Sequence, residues 1–182
     1  MPIPKLACLT NISSAYEVPM VTASPVKDRK ARALSENDVE RVIAIDRAHS
    51  GHARRRFFER RFAAAKARPD DYIQVGATWG GSLRGFAIAR VLRGEFGHEQ
   101  PVAVLDAIGV ETQSQELGIG EALMKELRDA MRRNGVRSLH SQADWTNHDL
   151  LRFFEASGFA LAPRLALARS VSEPMDEMSE DI

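Results

Sequence analysis

The sequence contains a single cysteine, Cys8, among its 182 residues. One thiol excludes a disulfide framework within the chain and a zinc site built from several cysteines. Lys and Arg number 25, and Asp and Glu also number 25, so the chain lacks the net positive charge of nucleic-acid-binding proteins. No apolar run approaches the roughly 18 residues that span a bilayer, and no continuous apolar stretch of a secretory signal opens the chain. We therefore expect a cytoplasmic globular protein without a nucleic-acid or membrane partner.

Sustained periodicity is also missing from both ends of the sequence. The first thirty residues contain four prolines, and residues 172–182 contain five acids and no base. Neither end carries enough apolar surface to offset the entropy that is lost on ordering it. We expect an N-terminal tail at residues 1–29, one domain at residues 30–171 and an acidic C-terminal tail at residues 172–182.

Between the tails, strand-like and helix-like patterns alternate. The strand patterns lie at residues 31–34, 72–78, 83–92, 102–110, 136–143 and 165–170. The helix patterns follow Ser35, which forms a capping-box pattern with Asp38, and recur at residues 54–67, 121–133 and 147–156. The order βααβββαβαβ predicts an α/β (α+β) fold, in which the late β-α-β units form parallel pairs within a mixed sheet flanked by helices.

The most informative segment joins the apolar strand at residues 102–110 to the helix at residues 121–133. Its Gly118-x-Gly120 pattern lets the backbone approach a ligand closely, and the helix start that follows presents unpaired N–H groups to an anion. A dinucleotide-binding fingerprint would need a third glycine where Leu123 stands, and a P-loop would need Gly-Lys-Ser/Thr, which is absent. The segment is therefore either a turn that tolerates glycine or a diphosphate site of another kind.

Two motifs resemble those of the GNAT-type N-acetyltransferases. Gln115-x-x-Gly118-x-Gly120 is similar to the acetyl-CoA signature of that superfamily. Downstream, the residues N, FFE and GF resemble the superfamily's Asn…Phe-Tyr-Glu…Gly-Phe segment, with seven positions from Asn147 to Phe154. The resemblance spans roughly residues 31–171 and implies a GNAT-like acyl-CoA N-acyltransferase fold with a mostly antiparallel central sheet.

The resemblance also implies acetyl-CoA as the co-substrate, with no metal. In this assignment the backbone N–H groups of residues 115–121 hold the diphosphate, and the backbone of residues 108–110 binds pantetheine and polarises the thioester carbonyl. The implied cofactor-binding residues are Ile108, Gly109, Val110, Gln115, Glu116, Leu117, Gly118, Ile119, Gly120, Glu121, Asn147 and Phe154. Gly109 has two interpretations, which are close approach of the backbone to the ligand and relief of side-chain packing.

The catalytic groups are less well defined by the sequence. Phe154 stands where the family often has a tyrosine, whose phenol protonates the departing thiolate, and phenylalanine has no proton to give. Asp106, an acid within the apolar strand, is the candidate base, and its alternative role is that of a structural carboxylate. Glu111 is a second candidate that we expect to be solvated.

Two further features have structural interpretations. Arg54, Arg55 and Arg56, with Arg60 and Arg61, form a basic face on the second helix. This face either attracts a carboxylate-bearing acceptor or is a solvated helix surface, and we expect the solvated surface. Trp145, near the end of a strand, is expected to pack against neighbouring side chains.

These features predict an N-acetyltransferase that moves an acetyl group from acetyl-CoA to a primary amine by direct attack in a ternary complex. The acceptor is an amine of a small molecule or a protein, and the sequence leaves a homodimer open. The alternative is a non-catalytic acyl-CoA-binding sensor or partner-binding module, which the missing tyrosine favours. A helix-turn-helix regulator is disfavoured by the neutral charge and the strand content.

Overall fold

Five strands form one mixed sheet in the part of the chain that the computed structural model describes, residues 29–94, 100–164 and 166–168. The strands are β1 (Lys30–Ala33), β2 (Tyr72–Trp79), β3 (Ser82–Leu92), β4 (Val102–Val110) and β5 (Ser138–Ser141). They lie side by side in the order of the sequence. The first four pair antiparallel, whereas β5 runs parallel to β4. This arrangement confirms the expected mixed, mostly antiparallel sheet.

Four α-helices within the described residues cover the two faces of this sheet. They are α1 (Val39–Ser50), α2 (Arg55–Ala67), α3 (Ile119–Arg133) and α4 (His148–Ala156). Helices α3 and α4 pack on one face around Leu123 and Leu127, while α1 and α2 pack on the other face around Val42 and Phe58. None of these helices is long and apolar enough to cross a membrane. The sheet is thus buried between two separate apolar cores, one on each face.

The β2–β3 hairpin is closed by two glycines. Gly80 and Gly81 have φ angles of 58° and 76°, in the left-handed region that other residues rarely adopt. A two-residue turn with positive φ at both positions has the twist that antiparallel strands need. The Gly-Gly pair therefore explains why the hairpin forms at this point of the chain.

The start of α1 is held by a buried carboxylate, Asp38. Its Oδ2 atom accepts the backbone N–H of Ser35 at 2.8 Å and the Ser35 hydroxyl at 2.8 Å, which is the capping box that the sequence predicts. The Arg32 guanidinium in β1 donates to both carboxylate oxygens, at 2.7 and 2.8 Å. The hydrogen bond from Arg32 is the main cause that lowers the pKa of Asp38 to about 2. Asp38 therefore ties the first strand to the first helix.

Several element boundaries differ from the sequence-based expectation. α3 begins at Ile119, two residues earlier than expected, and β5 is limited to Ser138–Ser141. The strand predicted at residues 165–170 is wrong over residues 166–168, which are exposed and outside any strand. An alternating pattern expresses only a local preference, whereas a strand also needs a hydrogen-bonded neighbour. The rest of that segment, residues 95–99 of the predicted loop, and the tails at residues 1–28 and 172–182 lie outside the described residues.

Replacing Asp38 by asparagine should lower the free energy of unfolding by about 1–3 kcal/mol at pH 7, because it removes charge-assisted hydrogen bonds. The pKa of Asp38 is lowered in the folded protein, so its contribution is present above about pH 4 and is lost as the pH falls through about 2. The difference between wild type and Asp38→Asn, measured by urea unfolding, should therefore shrink over that interval. Asp70→Asn, at an exposed carboxylate, is the control and should change little. A difference that persists at low pH would contradict this role for the ionised carboxyl.

Candidate active site

The sheet opens between β4 and β5. Strand β5 pairs only with residues 102–105 of β4, and the last pair joins Leu105 to Ser141. Just beyond it, the β3–β4 register passes from Ala89↔Leu105 to Ile88↔Ala107, so Asp106 is an extra residue in a β-bulge. Within the described residues, no strand lies beside residues 106–110 on the β5 side. This edge leaves backbone N–H and C=O groups available to a ligand.

The turn that follows β4 presents a second set of backbone donors. Glu116 and Gly118 have φ angles of 62° and 73°, and Gly118 is the N-cap of α3. The first hydrogen bond along α3 runs from the N–H of Ala122 to the carbonyl of Gly118, at 3.1 Å. The N–H groups of Ile119, Gly120 and Glu121 precede that bond, where a helix has no intrahelical acceptor. Together with the helix dipole, these N–H groups are chemically suited to an anion such as a phosphate.

Both glycines of the turn also have a packing role. A Cβ atom at Gly118 would collide with the guanidinium of Arg29, and a Cβ at Gly120 would lie 2.8 Å from Cε2 of Phe153 in α4. The positive φ of Gly118 adds backbone strain to any substitution at that position. Substitution of either glycine by valine is therefore expected to lower stability as well as to block a ligand.

Arg29 is a site residue that the sequence analysis missed. Its Nη1 atom donates a hydrogen bond to the carbonyl of Leu117. The guanidinium therefore lies against the turn at residues 115–121, which we call the donor turn. The two residues are 88 positions apart, and Arg29 precedes β1 at the edge of the expected tail. No local pattern relates them, and only the pairing of β1 with the sheet reveals the contact. The contact adds a positive charge next to the N–H groups at the start of α3.

A half-buried ionic cluster supports the same turn. The Glu111 carboxylate accepts hydrogen bonds from Arg41 in α1, from Arg84 in β3 and, at 3.1 Å, from the Ser114 hydroxyl. Burial raises the pKa of Glu111, but these hydrogen bonds outweigh it and hold the pKa at about 2. The expectation that Glu111 is solvated is therefore wrong. Its carboxylate is committed to anchoring the turn to α1 and β3.

The end of β4 packs against side chains on both faces of the sheet. Ile108 and Val110 point to the core under α3. A Cβ on Gly109 would lie 2.8 Å from Cε1 of Phe86 and 3.3 Å from Cγ2 of Ile45, on the opposite face. Of the two interpretations of Gly109, the structure directly supports relief of packing. The Nε2 atom of His49, at the end of α1, contacts the Val110 carbonyl.

Asp106, the candidate base, is bound by two arginines. Nε of Arg90 in β3 donates to its carboxylate oxygens at 3.0 and 2.7 Å, and Nε of Arg61 in α2 lies 2.9 Å from Oδ2. The hydrogen bond with Asp106 raises the pKa of Arg90. The Asp106 side chain is only 7% exposed. Accepting a proton would therefore require this carboxylate to weaken two ion pairs.

The candidates on the C-terminal side have defined structural roles. Asn147 is the N-cap of α4, and its Oδ1 accepts the backbone N–H of Leu150 at 3.2 Å. Phe154 is 8% exposed and packs against Phe159, with 4.7 Å between ring centroids. Trp145 is 81% exposed, so the expectation that it packs is wrong. The contact of Phe153 with Gly120 brings α4 beside the donor turn.

The basic face of α2 is only partly solvated. Arg54 forms an ion pair with Asp46, Arg55 with Glu40, and Arg61 with Asp106. The expectation of a solvated surface is confirmed for Arg54, Arg55, Arg56 and Arg60, which are exposed, and is wrong for Arg61, whose side chain is only 26% exposed.

The sequence is similar to a known protein family and to curated proteins. The sequence profile described as "Acetyltransferase (GNAT) family" matches residues 39–159. The chain is 29% identical over 101 residues to the [ribosomal protein bS18]-alanine N-acetyltransferase of Escherichia coli strain K12, covering 56% of this chain and 62% of that protein. The chain thus spans about three fifths of the length of this curated relative.

Solved structures share the fold at low sequence identity. A ribosomal-protein-alanine N-acetyltransferase from Brucella melitensis biovar Abortus 2308 has a TM-score of 0.63 and 19% identity, covering 78% of this chain and 98% of that chain. The aminoglycoside N-acetyltransferase AAC(6')-Iy in complex with CoA has a TM-score of 0.65 and 18% identity, covering 79% and 95%. A transcriptional regulator from Bacillus halodurans C-125 has a TM-score of 0.65 and 19% identity, covering 78% and 99%.

The side-chain oxygen and nitrogen of Asn147 can be tested separately for their effect on stability. Asn147→Ala should lower the free energy of unfolding by about 1 kcal/mol, because the side-chain cap of α4 is lost. Asn147→Asp should preserve stability, since aspartate caps helices as well as asparagine does. Urea unfolding of the three proteins measures both effects. Equal losses in the two variants would contradict the capping role of Oδ1.

Proposed function

Because the chain belongs to the GNAT acetyltransferase family, we propose that it transfers the acetyl group of acetyl-CoA to a primary amine by direct attack in a ternary complex. The observation that carries the proposal is the open edge of β4 at residues 106–110, which is directly followed by the donor turn at residues 115–121. A diphosphate and an acyl-pantetheine arm of one ligand require such adjacent sites. The amines acetylated by relatives differ, since the names of those proteins include a ribosomal-protein alanine and aminoglycosides.

The residues available for acetyl-CoA fit the chemistry of its parts. The N–H groups at the start of α3 would bind the diphosphate, and the Arg29 guanidinium beside them has donors left after its bond to Leu117. The open backbone of residues 108–110 would bind the pantetheine amides. An N–H group of that edge would also stabilise the negative charge that develops on the thioester oxygen.

The reaction requires a new C–N bond, cleavage of the C–S bond and removal of a proton from the amine. A lysine-type amine has a pKa of about 10.4, so it needs a base near neutral pH. Asp106 stays the candidate base, acting directly or through water, although Arg61 and Arg90 hold its carboxylate. Glu111 is no longer a candidate, because its oxygens are bound by Arg41, Arg84 and Ser114.

Position 154 supplies no proton to the departing thiolate. Phe154 has no hydroxyl group, and releasing a thiolate rather than a thiol costs about 2 kcal/mol near pH 7 for a thiol pKa of about 8.5. Water or another hydroxyl group would have to supply the proton. The cost slows the reaction but does not prevent it.

A non-catalytic acyl-CoA-binding module is the second candidate function. It is favoured by Phe154 and by the two ion pairs of Asp106, since both features weaken the acid and base functions. The two functions make different demands on the same cofactor site. A module needs only to bind acyl-CoA, whereas an enzyme must release free thiol when an amine is present.

Release of CoA thiol from acetyl-CoA is the measurement that tests the proposal. The amines would include an alanine-initiated peptide, an aminoglycoside, a polyamine and free amino acids, each compared with a reaction without amine. We expect at least one amine to raise thiol release well above that background, with an acetylated product of the correct mass. Binding of acetyl-CoA without thiol release in any reaction would support the non-catalytic module instead.

Acetyl-CoA should stabilise the fold through the donor turn and Arg29. At about 100 times its Kd, the ligand should add about 2.7 kcal/mol to the free energy of unfolding. Arg29→Gln should weaken acetyl-CoA binding by roughly tenfold or more, since a hydrogen bond to a charged group contributes about 1.5–3 kcal/mol. Thermal melts and direct titration measure both effects.

Two controls separate phosphate binding by Arg29 from an effect of Arg29 on the fold. S-acetylpantetheine lacks phosphate, so its weaker binding should be the same for wild type and Arg29→Gln. Arg128→Gln replaces an exposed arginine of α3 and should leave acetyl-CoA binding unchanged. An equal loss with both ligands would mean that Arg29 acts on the fold and not on the phosphate.

A further inference from the structure

A basic cavity lies on the face of the sheet that carries α1 and α2. It has a volume of about 420 Å³ and is lined by Arg56, Phe57, Arg60 and Arg61, so three of its four lining residues are cationic. The cavity is open to solvent, since Arg56 and Arg60 are exposed. The residues all belong to α2, whose pattern places them on neighbouring turns.

Two of these arginines have no acidic partner within the described residues. Arg56 and Arg60 form no ion pair with any residue in the part of the chain that the structure describes, although Arg55 pairs with Glu40 and Glu59. Glu59 is the single acid within α2. Among the described residues, no carboxylate neutralises the positive charge of these two side chains. Free guanidinium groups are well suited to carboxylate and phosphate oxygens, which they bind through paired N–H donors.

Arg61 connects this cavity to the opening of the sheet. Its Nε atom lies 2.9 Å from Oδ2 of Asp106, but the N–H does not point at that oxygen, and the buried Nε makes no hydrogen bond within the described residues. Its guanidinium also lies over the Phe57 ring, 5.1 Å from the centroid. Asp106 carries one negative charge against the two positive charges of Arg61 and Arg90. The ionic cluster at the bulge is therefore cationic overall.

The cavity and the donor turn lie on opposite faces of the sheet. Helix α3 packs on one face, and α2 packs on the other. The gap beside residues 106–110 connects the two faces of the sheet, because β5 pairs with β4 only as far as Leu105. A ligand bound at the start of α3 thus reaches the gap from one face, and a second ligand beside Arg61 reaches it from the other.

We propose that this cavity binds the anionic group of the acceptor, so that the acceptor is a primary amine that also carries a carboxylate or a phosphate. The inference rests on the proposed acetyl transfer and specifies its second substrate. The anionic group pairs with Arg56 and Arg60, and the amine extends past Arg61 to the gap. Amines that carry only positive charge are repelled by the same arginines.

Matched amines test the charge requirement. Amino acids are compared with their α-amides, and O-phosphoethanolamine with ethanolamine, by kcat/KM for thiol release from acetyl-CoA. We expect the anionic member to react at least about tenfold better within the productive series, since a hydrogen bond to a charged group contributes about 1.5–3 kcal/mol. Preference for the carboxylate series or for the phosphate series identifies which anion the cavity takes. Equal or better reaction of the neutral or cationic members would overturn the proposal.

Variants then assign the effect to the cavity. Arg56→Gln and Arg60→Gln change exposed side chains, so both proteins should fold, and each should raise KM about tenfold for the anionic amine by loss of a charged hydrogen bond. The neutral partner should be unaffected. Arg47→Gln, at an exposed arginine of α1 outside the cavity, is the matched control and should leave both values unchanged. Loss of the same size with anionic and neutral amines would overturn the assignment.

A binding measurement separates this proposal from acetyl transfer itself. N-acetylated amino acids and their neutral amides have no amine to react, and their binding in the presence of CoA is measured by titration. Binding of the anionic forms, lost in Arg56→Gln, supports the cavity even if no amine releases thiol. Absence of thiol release together with normal acetyl-CoA binding would reject the transfer. Failure of the anionic forms to bind better than the amides would overturn the cavity as an anion site.

Discussion

The structure depends on one extra residue in β4. Asp106 interrupts the β3–β4 register, and in the part of the chain that the structure describes, β4 has no parallel neighbour beyond it. The bulge is stabilised because Arg61 and Arg90 bind the carboxylate that it places on the α2 side. A bulge increases the local twist and bends the strand that contains it. The position of the gap and the exposure of the β4 backbone both follow from this residue.

Features that depend on local patterns were predicted well from the sequence. The strand Val102–Val110, the Gly-Gly hairpin and the capping box of Ser35 and Asp38 are each encoded within a few residues. These elements agree with the structure because their propensities and their tertiary context point the same way. The donor turn belongs to this class, since its glycines and the following amphipathic helix are adjacent in the sequence.

Features that depend on distant contacts could not be predicted in this way. The partners of Glu111 come from α1 and β3, and the contact of Arg29 with Leu117 crosses most of the described chain. A carboxylate after a strand looks solvated until the fold brings two arginines to it. The net charge of zero was equally uninformative about local charge, because within the described residues Arg54, Arg55 and Arg61 have paired carboxylates whereas Arg56 and Arg60 have none.

The contact between Gly120 and Phe153 means that α3 and α4 pack too closely for a side chain at position 120 beside the Phe153 ring. The ring edge of Phe153 occupies the space that a side chain at position 120 would need. A residue with a Cβ at position 120 therefore requires a smaller or rotated side chain at position 153, and a large ring at position 153 requires glycine at position 120. Divergence of the two positions during evolution must be coupled. The turn at the start of α3 is for this reason constrained by the packing of α4 as well as by any ligand that it binds.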